Sequence, residues 1–345
     1  MPSEVSPFTF PLVEVAGTSF EMGYQHGQQA GNQIHTYLDF IENLTGKSRA
    51  VLCRNASAFL PLIQRLSSQL VDEITGLAKG ADISFDEALL CQARGEAARV
   101  APEGCTAFAL TGSATEGGIT LAGQNQDLDP AYEDVAILLR LQPSDGRPRA
   151  LIFTFAGQLG YSGMNEHGLA HFANALYDAP WRFGLPHYPL KRVLLEQNSL
   201  EDCLAMIKKH PTCSAGNMVF CFGNGQIADV EIRPDGFARF TDTHPDSILH
   251  ANHYLTPEFT AHETNSLADS CLDRIKILIH EKWGSVTVDT MKRILADHQG
   301  DPAAICRHGA KNMISLSGYI AEPDKGLLHV RRGLGCTGTW TAYDV

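Results

Sequence analysis

Glu103-Gly104-Cys105-Thr106-Ala107-Phe108-Ala109-Leu110 is where the character of the chain changes. Upstream, the pattern is helical. Ile34, Leu38, Ile41 and Leu44 recur at helical spacing, as do Ile63, Leu66, Leu70, Ile74 and Leu77. Thr18-Ser19-Phe20-Glu21 is a capping box, and Ser84 with Glu87 caps a further helix expected to end near Arg99. A short strand within residues 8 to 15 precedes them, so residues 18 to 100 should be mostly helical.

Downstream of Pro102 the pattern is β. Cys105 to Thr111 reads as a strand, Gly112 to Gly118 as a turn and Ile119 to Gln124 as a second strand. Further strands are expected at Val135 to Leu141, Leu151 to Phe155, Leu169 to Asn174, Met218 to Phe222 and Ile227 to Ile232. Leu190 to Lys209 reads as two helices broken near Asn198, with Ser199 as the second N-cap. Ser266 to Lys282 and Asp289 to His298 are helical, and strands return at Ile314 to Ala321 and Leu327 to Arg331. Asp178 to Tyr188, with Trp181 and Phe183, reads as an irregular aromatic loop, either cover for a core edge or a pocket wall. Strands, then helices, then strands predict stacked layers and not alternating βαβ units.

A formal charge of −12 argues against nucleic acid or an anionic membrane as partner, since both call for a basic surface. No apolar run reaches the length of a membrane helix, and Met1-Pro2-Ser3-Glu4 does not begin a signal peptide. The nine cysteines form no C-x-x-C pair. A cytoplasmic chain with reduced thiols is the expectation, with no cofactor and no metal.

A cysteine that opens a strand after a glycine suggests a nucleophile that becomes an N-terminus by self-cleavage. Its own α-amine, with a pKa of about 8, would then serve as the base. Gly104 suits the scissile bond because a Cβ would resist a distorted peptide. Gly335-Cys336-Thr337 repeats the tripeptide, but cutting there frees only residues 336–345, so Cys336 is read as structural. Candidate partners for Cys105 are Asp127 on the neighbouring strand, to hold the ammonium or organise the thiol. Asn174 and Asn252 are candidate amide donors, and Arg307 could neutralise Asp127 or bind a carboxylate.

These motifs together resemble the acyl-coenzyme A:6-aminopenicillanic acid acyltransferase family, the isopenicillin-N acyltransferase-like cysteine peptidases of family C45. The resemblance rests on Gly17-Thr18-Ser19-Phe20-Glu21-Met22-Gly23-Tyr24-Gln25-His26-Gly27, Gly104-Cys105-Thr106 and Gly123-Gln124-Asn125-Gln126-Asp127. It continues through Gly163-Met164-Asn165-Glu166-His167-Gly168-Leu169 with Asn174-Ala175-Leu176, then His250-Ala251-Asn252-His253 and Ile305-Cys306-Arg307, all in order. The resemblance implies an α+β fold, the four-layer αββα sandwich of the N-terminal nucleophile hydrolase superfamily, with a helical N-terminal segment. It implies Cys105 as nucleophile, Asp127 as supporting acid, Asn252 as oxyanion or orienting amide and Arg307 as positioning charge. Asn174 matches by likeness to the bile-salt hydrolases. Gln126 stands where the penicillin-forming enzymes place a tryptophan, which implies a different pocket lining.

The expectation is a zymogen cut between Gly104 and Cys105. Residues 1–104 form a helical α-segment and 105–345 a catalytic β-segment, which stay associated as one globular unit. The product cleaves a small-molecule amide through an acyl-thioester on Cys105. Acyl-CoA-dependent N-acyl transfer through the same thioester is the alternative. A homo-oligomer is compatible with the sequence. Two other readings stand beside these: a Cys-His enzyme using His250 or His253, and a non-enzymatic metal-binding or scaffold protein using His244, His250 and His253.

Overall fold

The computed structural model describes residues 8–98, 104–177, 181–263, 268–309 and 313–345. The double cap at Thr18 forms as the sequence requires. Its hydroxyl accepts the Glu21 N–H, and the Glu21 carboxylate accepts the Thr18 N–H at 2.8 Å. This cap turns β1 (Leu12–Gly17) directly into the long helix α1 (Ser19–Thr45). Five more helices follow: α2 (Arg49–Ser57), α3 (Leu60–Leu66), α4 (Ser68–Ala81), α5 (Phe85–Gln92) and α6 (Arg94–Ala98). The helix expected to reach Arg99 is thus two short ones, and 99–103 lie outside the described residues.

The β-rich part begins with β2 (Gly104–Leu110), β3 (Leu121–Leu128), β4 (Ala136–Pro143), β5 (Ala150–Phe155), β6 (Ser162–Asn165) and β7 (Ala170–Ala175). Helices α7 (His187–Leu194) and α8 (Leu200–Lys209) come next, with Ser199 capping the second. The chain then forms β8 (Gly216–Cys221), β9 (Ile227–Arg233), β10 (Gly236–Phe240) and β11 (Ser247–His250). It ends with α9 (Ala268–His280), α10 (Val288–Ile294), β12 (Ile314–Glu322), β13 (Leu327–Arg332) and β14 (Thr339–Asp344). Of the expected aromatic loop, 178–180 lie outside the described residues. Trp181 and Phe183 are exposed, Phe183 stacks on Phe59, and His187 and Tyr188 already belong to α7.

Two sheets form, one of eight strands in the order β1-β4-β5-β6-β7-β8-β9-β10 and one of six in the order β11-β2-β3-β12-β13-β14. The alternation of side chains along β2 shows how they stack. Ala107 and Ala109 join the core shared with the eight-stranded sheet and α1–α8. Phe108 and Leu110 join a second core under α9 and α10. The result is helices, sheet, sheet, helices: the expected αββα sandwich. The N-terminal segment is built into it. β1 is the edge strand of the larger sheet, parallel to β4, and Glu73 of α4 holds Arg192 of α7 through two 3.0 Å bonds. Both side chains of that pair are buried.

Candidate active site

β2 and β3 form an antiparallel hairpin in which Gly104 pairs with Asp127 and Cys105 with Gln126. Paired residues put their side chains on the same face of a sheet, and the next residue along points the other way. Cys105 and Gln126 therefore face the other sheet, and Gln126 Nε2 donates to Cys105 Sγ at 3.1 Å. Gln124 supports Gln126, donating to its Oε1 at 2.6 Å while accepting the Ala173 N–H of β7 at 2.8 Å. The thiol is buried in this uncut chain.

Asp127 lies on the opposite face, towards α9 and α10. Its Oδ1 accepts the Ser315 hydroxyl at 2.5 Å, and its Oδ2 is 3.1 Å from Arg307 Nε. Arg307 is held in turn by its own N–H, which donates to Ser315 Oγ at 2.9 Å. Burial pushes the Asp127 carboxyl above its ordinary pKa, against the pull of Arg307 and Ser315. The structure thus brings Asp127 and Arg307 together, as anticipated, but beside Gly104 and not beside the thiol. A Cβ on Gly104 would come within 2.7 Å of Met313 Sδ, 3.1 Å of Arg307 Nη1 and 3.1 Å of Asp127 Cβ. A side chain at position 104 would crowd Asp127 Cβ and displace the ends of the Met313 and Arg307 side chains.

Asn252 is aimed at the Cys105 backbone. Its Oδ1 accepts the Cys105 N–H at 2.8 Å and its Nδ2 donates to Ala175 O at 3.0 Å. One partner is a pure donor and the other a pure acceptor, so the orientation of the amide is fixed by chemistry. Asn174, at the end of β7, has its N–H bonded to Asn217 Oδ1 at 2.8 Å. Its Nδ2 makes a long 3.5 Å contact with His250 O, and its buried Oδ1 has no hydrogen-bond partner among the described residues.

Beneath these two asparagines lies a network that sequence reading missed. Asn217 Nδ2 donates to Asp229 Oδ1 at 2.9 Å. His250 places Nδ1 2.6 Å from Ala251 O and Nε2 3.1 Å from Glu231 Oε1. Both neighbours are acceptors, so both ring nitrogens must carry hydrogen, and the ring is an imidazolium. Burial opposes that charge, but Asp229 and Glu231 outweigh it and hold the His250 pKa above its usual value. Burial raises Asp229 to about 6. Glu231 stays below its ordinary range despite burial, through bonds from His250, Thr256 and the Leu255 N–H. His250 is thus committed to Glu231, and His244 packs on Trp283, with ring centroids 4.6 Å apart. The structure gathers neither a Cys105–His250 pair nor a site from His244, His250 and His253.

Comparisons with known proteins place the chain in a family. The model of the acyl-coenzyme A:6-aminopenicillanic acid acyl-transferase family matches residues 114–320, more than half of the chain. The chain belongs to that family. It is 29% identical to the acyl-coenzyme A:6-aminopenicillanic-acid-acyltransferase 40 kDa form of Emericella nidulans, over 86% of this chain and 84% of that protein. An uncharacterized protein of Archaeoglobus fulgidus is 22% identical over 82% of this chain and 57% of its own length. Among solved structures, a conjugated bile acid hydrolase from Clostridium perfringens superposes with a TM-score of 0.47 at 14% identity, covering 70% of this chain and 97% of that one. Penicillin V acylase from Agrobacterium tumefaciens gives 0.44 at 12%, over 70% and 86%. The family is one of acyl-transferases, and the protein is an enzyme. No helix among the described residues is long and apolar enough to cross a membrane.

Proposed function

We propose that the chain cuts itself between Gly104 and Cys105 and then hydrolyses a small-molecule amide with the liberated Cys105. The observation that carries this reading is the 2.8 Å bond from the Cys105 N–H to Asn252 Oδ1. In the uncut chain that nitrogen is an amide. After the cut it is an amine, already seated against an acceptor that fixes its direction.

In self-cleavage, Cys105 Sγ attacks the Gly104 carbonyl carbon. The C–N bond to Cys105 breaks, its nitrogen takes a proton to become the free amine, and a thioester links Gly104 to the sulfur. Water then releases the Gly104 carboxylate and restores the thiol. In turnover the amine takes the thiol proton, the thiolate attacks the substrate carbonyl, and the same proton passes to the leaving amine. Water cleaves the acyl-thioester. If an acceptor amine replaces water, the reaction is acyl transfer, the activity named for the Emericella relative.

Asn252 directs the Cys105 amine, and Asn174 Nδ2, bound only by a long contact, is the donor left for the developing oxyanion. Asp127 with Arg307 braces Gly104 during the first reaction. The two fragments stay together through β1 and the Glu73–Arg192 pair.

Intact mass on the purified protein tests this reading. Chains of 104 and 241 residues are expected, from positions 1–104 and 105–345, and they should co-elute under native conditions. Cys105→Ala should remain a single chain and release no amine from a panel of N-acyl amines and amino acids. An active full-length wild type would remove self-cleavage from the mechanism.

A further inference from the structure

Three segments converge beside the Arg307 turn. They are the stretch after α10, residues 306–308, and the turn after β13 that carries Gly335 and Cys336. The Cys306 N–H donates to Asp297 O at 2.8 Å, which joins the first two. The third is pressed against both, since a Cβ on Gly335 would lie 2.4 Å from Leu295 O and 2.9 Å from Cys306 Sγ. Three side chains with nitrogen or sulfur donors, His298, His308 and Cys336, meet there, and Cys306 touches one of them. His308 Nε2 is 3.6 Å from Cys306 Sγ and 3.6 Å from Cys336 Sγ. Donor atoms of His298, His308 and Cys336 all lie within 4.8 Å of one another.

Hydrogen bonding does not explain this arrangement. A single Nε2 presents one N–H or one lone pair, in one direction, and cannot properly serve two sulfurs. A cation held by His298, His308 and Cys336 accounts for the approach of His308 to Cys336 and leaves Cys306 beside it. With Zn–S of about 2.3 Å and Zn–N of about 2.0–2.1 Å, a tetrahedron has an S···N edge of about 3.5–3.6 Å. The Cys336 Sγ to His308 Nε2 distance matches that edge.

We propose that His298, His308 and Cys336 form a structural zinc site of three protein ligands, with Cys306 beside it. Its role is to fasten residues 306–308 to the turn after β13. Arg307 immediately precedes the ligand His308, so the clamp also fixes the backbone from which Arg307 reaches Asp127.

His298 and Cys336 are exposed, so they can be removed without opening the core. The full-length protein is reduced, stripped with a chelator, and titrated with Zn²⁺ and separately with Co²⁺. The metal is counted by mass spectrometry, and thermal unfolding is followed in parallel. Wild type should take up one equivalent, give the visible absorption of tetrahedral thiolate-bound Co²⁺ and melt higher with zinc. His298→Ala/Cys336→Ala should keep the fold and bind zinc more weakly by more than about 100-fold, the upper end of what losing an outer-shell partner alone costs. Equal zinc affinity in wild type and the double variant would overturn the proposal. So would a wild-type protein, reduced and folded, that retains no stoichiometric metal.

Discussion

Gly104-Cys105-Thr106 and Gly335-Cys336-Thr337 are the same three residues in two settings. Cys105 opens a strand flanked by β3 and β11 and is buried, its N–H held by Asn252 and its sulfur by Gln126. Cys336 sits exposed in a turn after β13, its sulfur turned to His308. Both glycines are closely approached, but by different things: Gly104 by the side chains of Met313, Arg307 and Asp127, and Gly335 by a backbone carbonyl and another sulfur. The tripeptide itself therefore carries no chemistry. What differs is the strand register that gives one cysteine an amide acceptor for its nitrogen.

If surroundings make the difference, stripping them from Cys105 should make it as inert as its twin. The largest effect is expected at Asn252. Asn252→Ala should lower kcat of the matured enzyme by about 10²-fold, the scale of one lost orienting or oxyanion group, and should slow maturation as well. Unchanged kcat and cleavage half-time would return Asn252 to a purely structural role.

Arg307→Ala comes next, measured in the Cys105→Ala background so that a single chain is compared. It leaves the Asp127 carboxylate buried without its counter-charge, at a cost on the order of 3 kcal/mol. Denaturant unfolding should show this as a lower midpoint, and Arg307→Lys should recover part of it. An unaltered midpoint would mean that Asp127 takes up a proton at no cost and the pair does not brace Gly104.

The smallest effect is a pH dependence at His250. Its folded pKa lies above the unfolded value of about 6.5. The stability it gives is therefore complete below pH ~6.5 and is lost as pH rises through the raised folded value. The Tm difference between wild type and His250→Gln should shrink over that alkaline interval. A difference that grew with pH would show that the ring is neutral in the fold.

The element order was legible because it rests on local signals. The caps at Thr18, Ser84 and Ser199 all formed as read. β6, β10, β11 and β14 were missed. β6 and β11 are four residues each, too short to show a clear alternation. The site was half legible. Gln126 could have been found, because the hairpin that pairs Gly104 with Asp127 must put residue 126, not 127, on the cysteine's face. Asp229 and Glu231 could not. Ile227-Ala228-Asp229-Val230-Glu231-Ile232-Arg233 looks like a strand with one wet face, yet both faces are covered. Two acids on a strand buried on both sides need a buried cation, and that cation, His250, comes from a different sheet.

The edge strand β1 has a bearing on how the protein survives stress. In the uncut chain, β1 and α1 are tethered to everything they pack against, and folding is a unimolecular search. After a cut at Gly104, the same edge strand belongs to a separate polypeptide, and regaining it becomes a second-order encounter whose rate falls with dilution. The precursor should refold from denaturant, while the matured protein, once unfolded, should lose its partner before it recovers. Its lifetime would then be set by how slowly it opens, not by how stable it is at equilibrium.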